Sequence, residues 1–191
     1  FTLLHSLSFG SGHVNLRSAL LNGASIFDFD TKRENIERLA AWLNDERITI
    51  YHSTASLFRQ LAESLPHDGM HPDLRLIRLT GAPISKRDFD LYKTRFGSNT
   101  FLRIAMGSTE MGSISICAAI LNQGFSYPTE GFPIGYPSRG RTILFLDEDR
   151  RPVAPGQIGE IAVKSENLSG GYWKQPKATN EKFLPDPNGG G

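Results

Sequence analysis

The feature that most constrains the fold is the alternation of strand-like and helix-like segments through the N-terminal half of the chain. The runs "ITIYH" (48–52), "LRLIRL" (74–79) and "FLRIA" (101–105) are rich in β-branched and aliphatic residues and are typical of strands. Segments 56–65 and 85–96, which separate these runs, have the apolar spacing of helices. This alternation predicts an α/β fold with a mostly parallel sheet and helices on both faces.

The flanking segments extend this pattern. The run "TLLHSLSF" (2–9) predicts a strand, "GSG" (10–12) a turn, and "VNLRSALLNG" (14–23) a helix. Thr31 precedes Glu34 by three residues, which predicts a capping box at the start of the next helix. Ser85 and Asp88 are expected to cap the helix over 85–96, since an aspartate is favourable in the first turn of a helix.

The pattern changes after residue 131. The stretch "TILFLDEDRRPVAPGQIGEIAVKS" indicates a strand, a charged turn, a loop with Pro and Gly, and a second strand, without helical periodicity. It predicts a small antiparallel β unit that begins near Gly135. We therefore expect two subdomains, an α/β subdomain over 1–134 and a small β-rich subdomain over 135–191, with Tyr172 and Trp173 packing the latter.

Three short polar loops each follow a predicted strand, namely "FGSG" (9–12), "TGAP" (80–83) and "MGSTE" (106–110). In parallel sheets, ligands bind beyond the carboxyl ends of the strands. Small residues allow backbone amides to approach a phosphate closely, a threonine can donate to it, and a glutamate can hold Mg²⁺. Gly107, Ser108, Thr109 and Glu110 are therefore a candidate phosphate loop, although an ordinary polar turn explains these four residues equally well.

Composition excludes several function classes. The formal net charge of +1 gives no electrostatic reason to expect a nucleic acid or an anionic membrane as partner. Cys117 is the single cysteine, so no internal disulfide or multi-cysteine metal site is expected, and we interpret it as a buried small residue. His5 and His13 lack a third ligand for a metal. No signal peptide or membrane-spanning run is evident, and the expected compartment is the cytoplasm.

Several blocks, in order, resemble one family across nearly the whole chain. "GQIGEIAVKSENLSGGYWKQPKATNEKF" (156–183) resembles the Gly-Glu-Leu…Gly-Tyr-Trp…Pro…Thr…Phe stretch of adenylate-forming enzymes, in which it follows a Thr-Glu phosphate loop at about this separation. "LRLIRLTGAPIS" resembles the segment with the adenine-side glycine turn, and "LHSLSF…ALLNGASIFDF" the segment where the acyl pocket starts. The nearest match is the adenylation domain of nonribosomal peptide synthetases.

The resemblance implies a two-step reaction. A carboxylate attacks the α-phosphate of ATP to give an acyl adenylate and pyrophosphate, and the acyl group then passes to a phosphopantetheine thiol on a carrier protein. The resemblance implies that Thr109 contacts the phosphates, that Glu110 holds Mg²⁺, and that Gly81 and Ala82 lie against the adenine. Met106 stands where the family has an aromatic residue on the adenine, and Gly107 and Ser108 complete the nucleotide contacts.

The resemblance also implies an acyl pocket. Its members would be Gly10, Ser11, Val14, His52, Arg78, Thr80, Ala105, Ser113 and Ile114. Amino-acid-activating members have an aspartate at the position of Gly10, which pairs with the α-ammonium of the substrate. An unpaired ammonium would be costly to desolvate, so we expect a substrate without a free α-amino group. His52 and Arg78 could meet an acid or hydroxyl of the substrate, but His52 could equally be structural and Arg78 could point to solvent.

Other family segments are not in this sequence. The Ser/Thr/Gly-rich phosphate loop would precede Phe1, and the ribose-binding aspartate and the C-terminal domain with its lysine would follow Gly191. We therefore expect an internal piece of a larger adenylation domain that is inactive alone. The alternatives are a free-standing acyl-CoA or aryl-CoA ligase, a nonenzymatic scaffold module, and a generic nucleotide-binding domain. The last of these leaves the 156–183 block unexplained.

Overall fold

The computed structural model describes residues 1–67, 71–96, 98–120 and 133–185, and side chains outside 114–120. The chain divides into two compact units. Unit 1 comprises Phe1–Met106 and Ile116–Gly135, and unit 2 comprises Gly107–Ser115 and Tyr136–Gly191. The subdomain boundary at residues 134 and 135 stays a prediction.

Strands and helices alternate in the first part of the chain, as the sequence predicts. Short strands β1 (Thr2–Leu3) and β2 (Phe27–Asp28) pair in parallel. The main sheet has the strand order β3-β4-β5-β6-β7, and β3, β4 and β5 are parallel. The remaining elements up to β7 are α1 (Gly10–Leu20), α2 (Ile36–Asp45), β3 (Ile50–Thr54), α3 (Ala55–Ser64), β4 (Leu76–Thr80), α4 (Lys86–Arg95), β5 (Phe101–Ser108), β6 (Gly112–Ile120) and β7 (Tyr136–Pro137).

The two faces of the main sheet differ in polarity. One face carries Tyr51, Ile77 and Leu102 in adjacent register positions, and all three are at most 1% exposed. These side chains belong to the hydrophobic core of unit 1, to which α2, α3 and α4 contribute Leu39, Phe58 and other apolar side chains. Burying each large side chain contributes roughly 1.5–3 kcal/mol. The opposite face carries a polar row, His52, Arg78 and Arg103, which belongs to the candidate site described below, beside an apolar row of Ile50, Leu76 and Phe101.

Ser85 and Asp88 cap the start of α4, as predicted, and the structure shows that they form a reciprocal capping box. The Ser85 side chain accepts a hydrogen bond from the backbone N–H of Asp88, and the Asp88 carboxylate accepts from the backbone N–H of Ser85. Arg59 of α3 donates to both carboxylate oxygens of Asp88, at 2.7 and 2.9 Å. Burial alone would raise the pKa of Asp88, but the hydrogen bonds from Arg59 and Ser85 outweigh it and hold the pKa below its usual value.

The capping box predicted at Thr31 and Glu34 is wrong. The Asp30 side chain accepts from the backbone N–H of Lys32, so residues 31–33 form a turn. The helix α2 begins later, at Ile36, and its N-cap is Asn35, whose Oδ1 accepts from the N–H of Arg38 at 2.8 Å.

The strand predicted over 2–9 and the turn over 10–12 are also wrong in extent. Only Thr2–Leu3 is a strand, and Gly10 is already the first residue of α1. The backbone N–H of Gly12 and that of His13 both donate to the carbonyl of Phe9, so the glycine-rich segment forms the first turn of the helix. The small residues permit this because Gly12 lies against the backbone of Ser6.

Unit 2 contains the predicted antiparallel pair. Strand β8 (Thr142–Leu146) pairs with β9 (Glu160–Lys164) in antiparallel register. One helix, α5 (Pro176–Lys182), was not expected in this part of the chain, and Pro176 occupies its first turn. Trp173 is 87% exposed, so the prediction that it packs the β unit is wrong.

Candidate nucleotide and acyl-binding site

A buried polar cluster lies on one face of the main sheet in unit 1. Asn15 of α1 is fully buried, and its amide nitrogen donates to the backbone carbonyl of Thr2 at 3.2 Å. His52 of β3 is 1% exposed, and its Nδ1 lies 2.5 Å from Asn15 Oδ1. The His52 Nε2 lies 3.1 Å from the hydroxyl of Thr80, at the end of β4. Asn15 therefore joins α1 to β1 and to β3 of the main sheet.

The hydrogen bonds fix the tautomer of His52. Since the Asn15 amide nitrogen donates to Thr2, its Oδ1 must face His52 and can only accept. Burial, with further contributions from Arg78, His5 and Arg103, lowers the pKa of His52 to about 2, so the ring is neutral. Nδ1 consequently carries the proton, and Nε2 accepts from the Thr80 hydroxyl. The Thr80 hydroxyl proton is therefore engaged by His52, and its oxygen can only accept hydrogen bonds from a further group.

Arg78 is a neighbour of His52 across the sheet. His52 pairs with Arg78, and Arg78 pairs with Arg103, so the three residues form one row across β3, β4 and β5. Arg78 is 8% exposed and its Nη1 donates to Asn15 Oδ1 at 3.4 Å. The alternative that Arg78 points to solvent is therefore wrong. Burial and the charge of Arg103 lower the pKa of Arg78 to about 10.

The other acyl-pocket candidates of unit 1 lie on the same elements. Gly10, Ser11 and Val14 lie in the first turns of α1, within the five residues that precede Asn15. Ala105 follows Arg103 by two residues on β5, so both lie on the same face of that strand. The structure thus brings α1, His52, Arg78 and Thr80 together, with Asn15 in contact with both His52 and Arg78.

The predicted adenine-side turn follows β4 directly. Gly81 has φ +83°, a conformation that residues with a side chain rarely adopt, and this explains glycine at this position. Gly81 and Ala82 are both exposed, and Thr80 is half-buried. Met106 is half-buried on β5. Backbone groups at this turn are thus open to a flat ligand.

The candidate phosphate loop is in unit 2. Gly107 and Ser108 end β5, and Thr109 and Glu110 form the turn before β6. A Cβ at Gly107 would collide with the carbonyl oxygen of Gly112, so only glycine fits there. Thr109 is exposed and available to a ligand.

Glu110 has a specific partner in the 156–183 block. The Tyr172 hydroxyl donates to Glu110 Oε1 at 2.7 Å, and the backbone N–H of Ser169 donates to the Glu110 carbonyl at 2.8 Å. The Tyr172 hydrogen bond is the main cause that holds the pKa of Glu110 below its usual value. Tyr172 also packs edge-on against Phe183, at 5.7 Å between ring centroids. Two sequence blocks that the resemblance associates are thus in direct contact.

A single ionised carboxylate fits the requirements of Mg²⁺. This ion takes oxygen ligands and is usually held by one or two carboxylates together with substrate phosphates and water. No group of three His, Cys, Asp or Glu side chains suited to a metal exists among the described residues. Glu110 would therefore be one ligand of a site that the phosphates complete.

The remaining candidates lie in unit 2. Ser113 is exposed on β6, and its hydroxyl lies 3.5 Å from that of Ser138. The side chains of Ile114 and Cys117 lie outside those that the structure describes. Within the described ranges, no helix is long and apolar enough to cross a bilayer.

Sequence reasoning missed three residues of these sites. Asn15 and Arg103 were not singled out, and Tyr172 was interpreted as packing alone. Arg103 could have been found, since Leu76-Ile77-Arg78 and Phe101-Leu102-Arg103 each place an arginine directly after two apolar residues. The contact of Tyr172 with Glu110, 62 residues apart, has no local signal.

The pattern of one family matches most of the chain. The family is described as AMP-binding enzyme, and the match covers residues 1–173. The protein therefore belongs to the AMP-binding enzyme family. This confirms the predicted adenylate-forming resemblance and the predicted fold class.

Known relatives agree with this assignment. Bacitracin synthase 1 of Bacillus licheniformis is 29% identical over 185 residues, which is 96% of this chain and 3% of that protein. Novobiocin biosynthesis protein H of Streptomyces niveus is 34% identical over 116 residues, covering 61% of this chain and 18% of that protein. The crystal structure of CmiS6 has a TM-score of 0.84 at 27% identity, covering 98% of this chain and 45% of the CmiS6 chain. The chain thus spans less than half the length of these relatives.

Proposed function

We propose that this chain is the acyl- and phosphate-binding part of an ATP-dependent carboxylate-activating enzyme. The observation that carries this proposal is the hydrogen bond from Tyr172 to Glu110, because it joins the Gly-Ser-Thr-Glu turn to the Gly-Gly-Tyr-Trp block, holds the carboxylate in place and lowers its pKa. An ordinary polar turn would not need a glycine packed against the backbone of Gly112, an exposed threonine and an anchored carboxylate together. Membership of the AMP-binding enzyme family supports the same activity.

The proposed reaction has two steps. A carboxylate oxygen of the substrate forms a bond to the α-phosphorus of ATP, while the bond from that phosphorus to the bridging oxygen breaks and pyrophosphate leaves. In the second step the thiolate of a carrier-protein phosphopantetheine forms a bond to the acyl carbon, and AMP leaves. The thiol proton passes to solvent or a base.

The chain's own residues would supply positioning and electrostatic stabilisation. Thr109 would donate its hydroxyl proton to a phosphate oxygen, and the glycine at 107 would allow backbone N–H groups to come close. Glu110 would hold Mg²⁺, which offsets the charge of the phosphates when bound. Gly81, Ala82 and Met106 would lie against the adenine.

The acyl group would be held by Gly10, Ser11, Val14, Thr80, Ala105, Ser113 and Ile114, with His52 and Arg78 at its polar side. None of the unit 1 members of this set is a carboxylate, while Arg78 is a cation. A substrate ammonium would thus meet a like charge without a counter-ion, which supports a substrate that lacks a free α-amino group.

The test is carboxylate-dependent ATP–pyrophosphate exchange, with the longest natural polypeptide that contains these residues. The acid panel pairs each amino acid with its des-amino, hydroxy and keto counterparts. We expect exchange that depends on Mg²⁺, and a loss of at least about 100-fold in Glu110→Gln. The matched control is Glu148→Gln, an exposed glutamate of the turn after β8.

If Glu110→Gln exchanges pyrophosphate as fast as the natural protein, the assignment of Glu110 as a Mg²⁺ ligand is wrong. If none of the acids in the panel supports exchange, the proposed activity is wrong. A second assay decides the acceptor. Faster acyl transfer to a phosphopantetheinylated carrier than to free coenzyme A supports the carrier route, and the reverse supports a free-standing ligase.

A further inference from the structure

Arg78 has a buried positive charge that no carboxylate of the described residues neutralises. It takes part in no ion pair within that part of the chain, and the one hydrogen bond it donates there, to Asn15, is long at 3.4 Å. Its Nε is buried and has no partner. Removing a guanidinium from water costs several kcal/mol unless an opposite charge compensates it. The fold therefore maintains a charge whose partner has to come from outside the described residues.

A second guanidinium increases this imbalance. Arg103 is the register neighbour of Arg78 on β5, is half-buried, and likewise has no ion pair within the described ranges. Like charges directly opposite on adjacent strands repel each other. Burial of Arg103, which lowers its pKa, adds to the cost. Two adjacent arginines on the same face attract an anion more strongly than either would alone.

His5 adds a third unsatisfied group to this cluster. Its ring lies 4.7 Å from that of His52, centroid to centroid, and its Nδ1 is buried without a partner. Burial, and then the charge of Arg78, lower the pKa of His5, so it is a neutral donor beside a cation. The cluster of His5, Arg78 and Arg103 thus offers unused N–H groups and a net positive charge.

Solvent reaches one end of this cluster. Arg103 lines an open groove of about 700 Å³ together with the apolar side chains of Ile50, Leu76 and Phe101. On each of β3, β4 and β5, the apolar residue lies two positions before the polar one, so both point to the same face of the sheet. The pairs are Ile50 and His52, Leu76 and Arg78, and Phe101 and Arg103. An anion therefore has an accessible guanidinium at this face.

We propose that Arg78 and Arg103 bind an anionic substituent of the substrate, so that the enzyme activates acids that carry a second carboxylate. This inference rests on the proposed function, because it names the substrate class of that same site. A hydroxyl could accept from Arg78 Nε but would leave its charge uncompensated, whereas a carboxylate supplies both acceptor atoms and the opposite charge. His5 would donate to the same carboxylate.

The first experiment compares each dicarboxylate with an analogue of similar size that lacks the second negative charge. Succinate, glutarate and adipate are each paired with their monomethyl esters in ATP–pyrophosphate exchange, using the longest natural polypeptide that contains the chain. We expect a KM at least about tenfold lower for one dicarboxylate than for its monoester, the size of one charge-assisted pair. Equal KM values for every pair would overturn the proposal.

Variants then assign the effect to the two arginines. Arg78→Met and Arg103→Met keep the stem of the side chain and remove the charge, and each should abolish the preference for the dicarboxylate over its monoester. Arg33→Met is the matched control, since Arg33 is 86% exposed and should leave the preference unchanged. A preference that survives in both arginine variants would overturn the assignment. Because Arg103 is half-buried, its variant stays informative even if Arg78→Met misfolds.

A third measurement separates this inference from the activity itself. Isothermal titration of the same polypeptide without ATP records the binding of the preferred dicarboxylate. Binding that is lost in Arg103→Met, in a protein with no exchange activity, would sustain the anion site and refute the proposed function. Exchange with monocarboxylates alone, and no heat of dicarboxylate binding, would sustain the function and refute the anion site.

Discussion

The hydroxyl of Tyr172 donates to the carboxylate of Glu110 across 2.7 Å, which fixes the one acidic group of the candidate phosphate loop. The bond lowers the pKa of Glu110 and limits its rotamers before any ligand arrives. A carboxylate that is held this way loses less conformational freedom when it binds a cation.

Tyr172→Phe is therefore expected to weaken Mg²⁺ binding while retaining the ring contact with Phe183. The half-saturating Mg²⁺ concentration for ATP–pyrophosphate exchange should rise about tenfold, as is usual when an outer-shell partner is removed. A pH titration of the Glu110 carboxyl by NMR should show its pKa rising towards the ordinary value. Trp173→Phe, at the exposed neighbour, should change neither quantity, and a Glu110 pKa that does not move in Tyr172→Phe would contradict the coupling.

Asn15→Leu should destabilise unit 1. The substitution leaves His52 Nδ1–H, Arg78 Nη1 and the Thr2 carbonyl without their buried partner, each at a cost of about 1–3 kcal/mol when unsatisfied. The free energy of unfolding in urea should fall by about 2–4 kcal/mol. Asn22→Leu, at an exposed asparagine just after α1, should change it by less than about 0.5 kcal/mol. Equal effects of the two would mean that the cluster is not a stabilising network.

Asp88 should make the stability depend on acidic pH. Its pKa is below the usual value in the folded protein, so its contribution is present above the unfolded-state pKa and is lost as the pH falls through the folded-state pKa. Asp88→Asn should lower the free energy of unfolding at pH 7 by about 1–3 kcal/mol and flatten its decline between about pH 5 and 2. Asp90→Asn, on the same helix with an exposed partner in Lys86, serves as the control. A decline of unchanged steepness in Asp88→Asn would exclude this carboxylate as the cause.

Gly10→Asp should move the substrate preference towards α-amino acids. The position is the first residue of α1, where an aspartate is also favourable to the helix dipole, so the variant should fold. In ATP–pyrophosphate exchange, the ratio of kcat/KM for an amino acid over its des-amino counterpart should rise about tenfold or more. An unchanged ranking of the acids would mean that residue 10 does not face the substrate.

The main sheet could be predicted from sequence because its signals are local. The strands at 48–52, 74–79 and 101–105 have the composition of buried strands, and the Ser85–Asp88 spacing specifies its own cap. The prediction for residues 2–12 was wrong in extent because three leucines and a phenylalanine look like a strand, whereas only Thr2–Leu3 is a strand and a helix begins at Gly10. The helix α5 was missed because it is short, at seven residues, and has no buried face.

The polar cluster could be predicted only in part. His52, Arg78 and Thr80 were recognised through the family resemblance, whereas Asn15 and His5 were not, since nothing near them in sequence indicates what they contact. Their role depends on α1 lying against β3, a tertiary arrangement. The direction that Arg78 faces was likewise ambiguous, because "LRLIRL" has an arginine at two positions of which one is buried and one exposed.

The cluster around Asn15 is also a chain of hydrogen bonds with a single direction. The Thr2 carbonyl orients the Asn15 amide, the amide oxygen accepts a hydrogen bond from His52 Nδ1–H, and Nε2 accepts one from the Thr80 hydroxyl. The order cannot be reversed unless the amide of Asn15 flips, which would place its NH2 group against the N–H donor of Arg78 and break the bond to Thr2. The backbone carbonyl of Thr2, about 50 residues before His52, therefore determines that the Thr80 hydroxyl at the end of β4 can only accept further hydrogen bonds. A ligand group bound at this hydroxyl has to be a hydrogen-bond donor, which excludes ethers and esters.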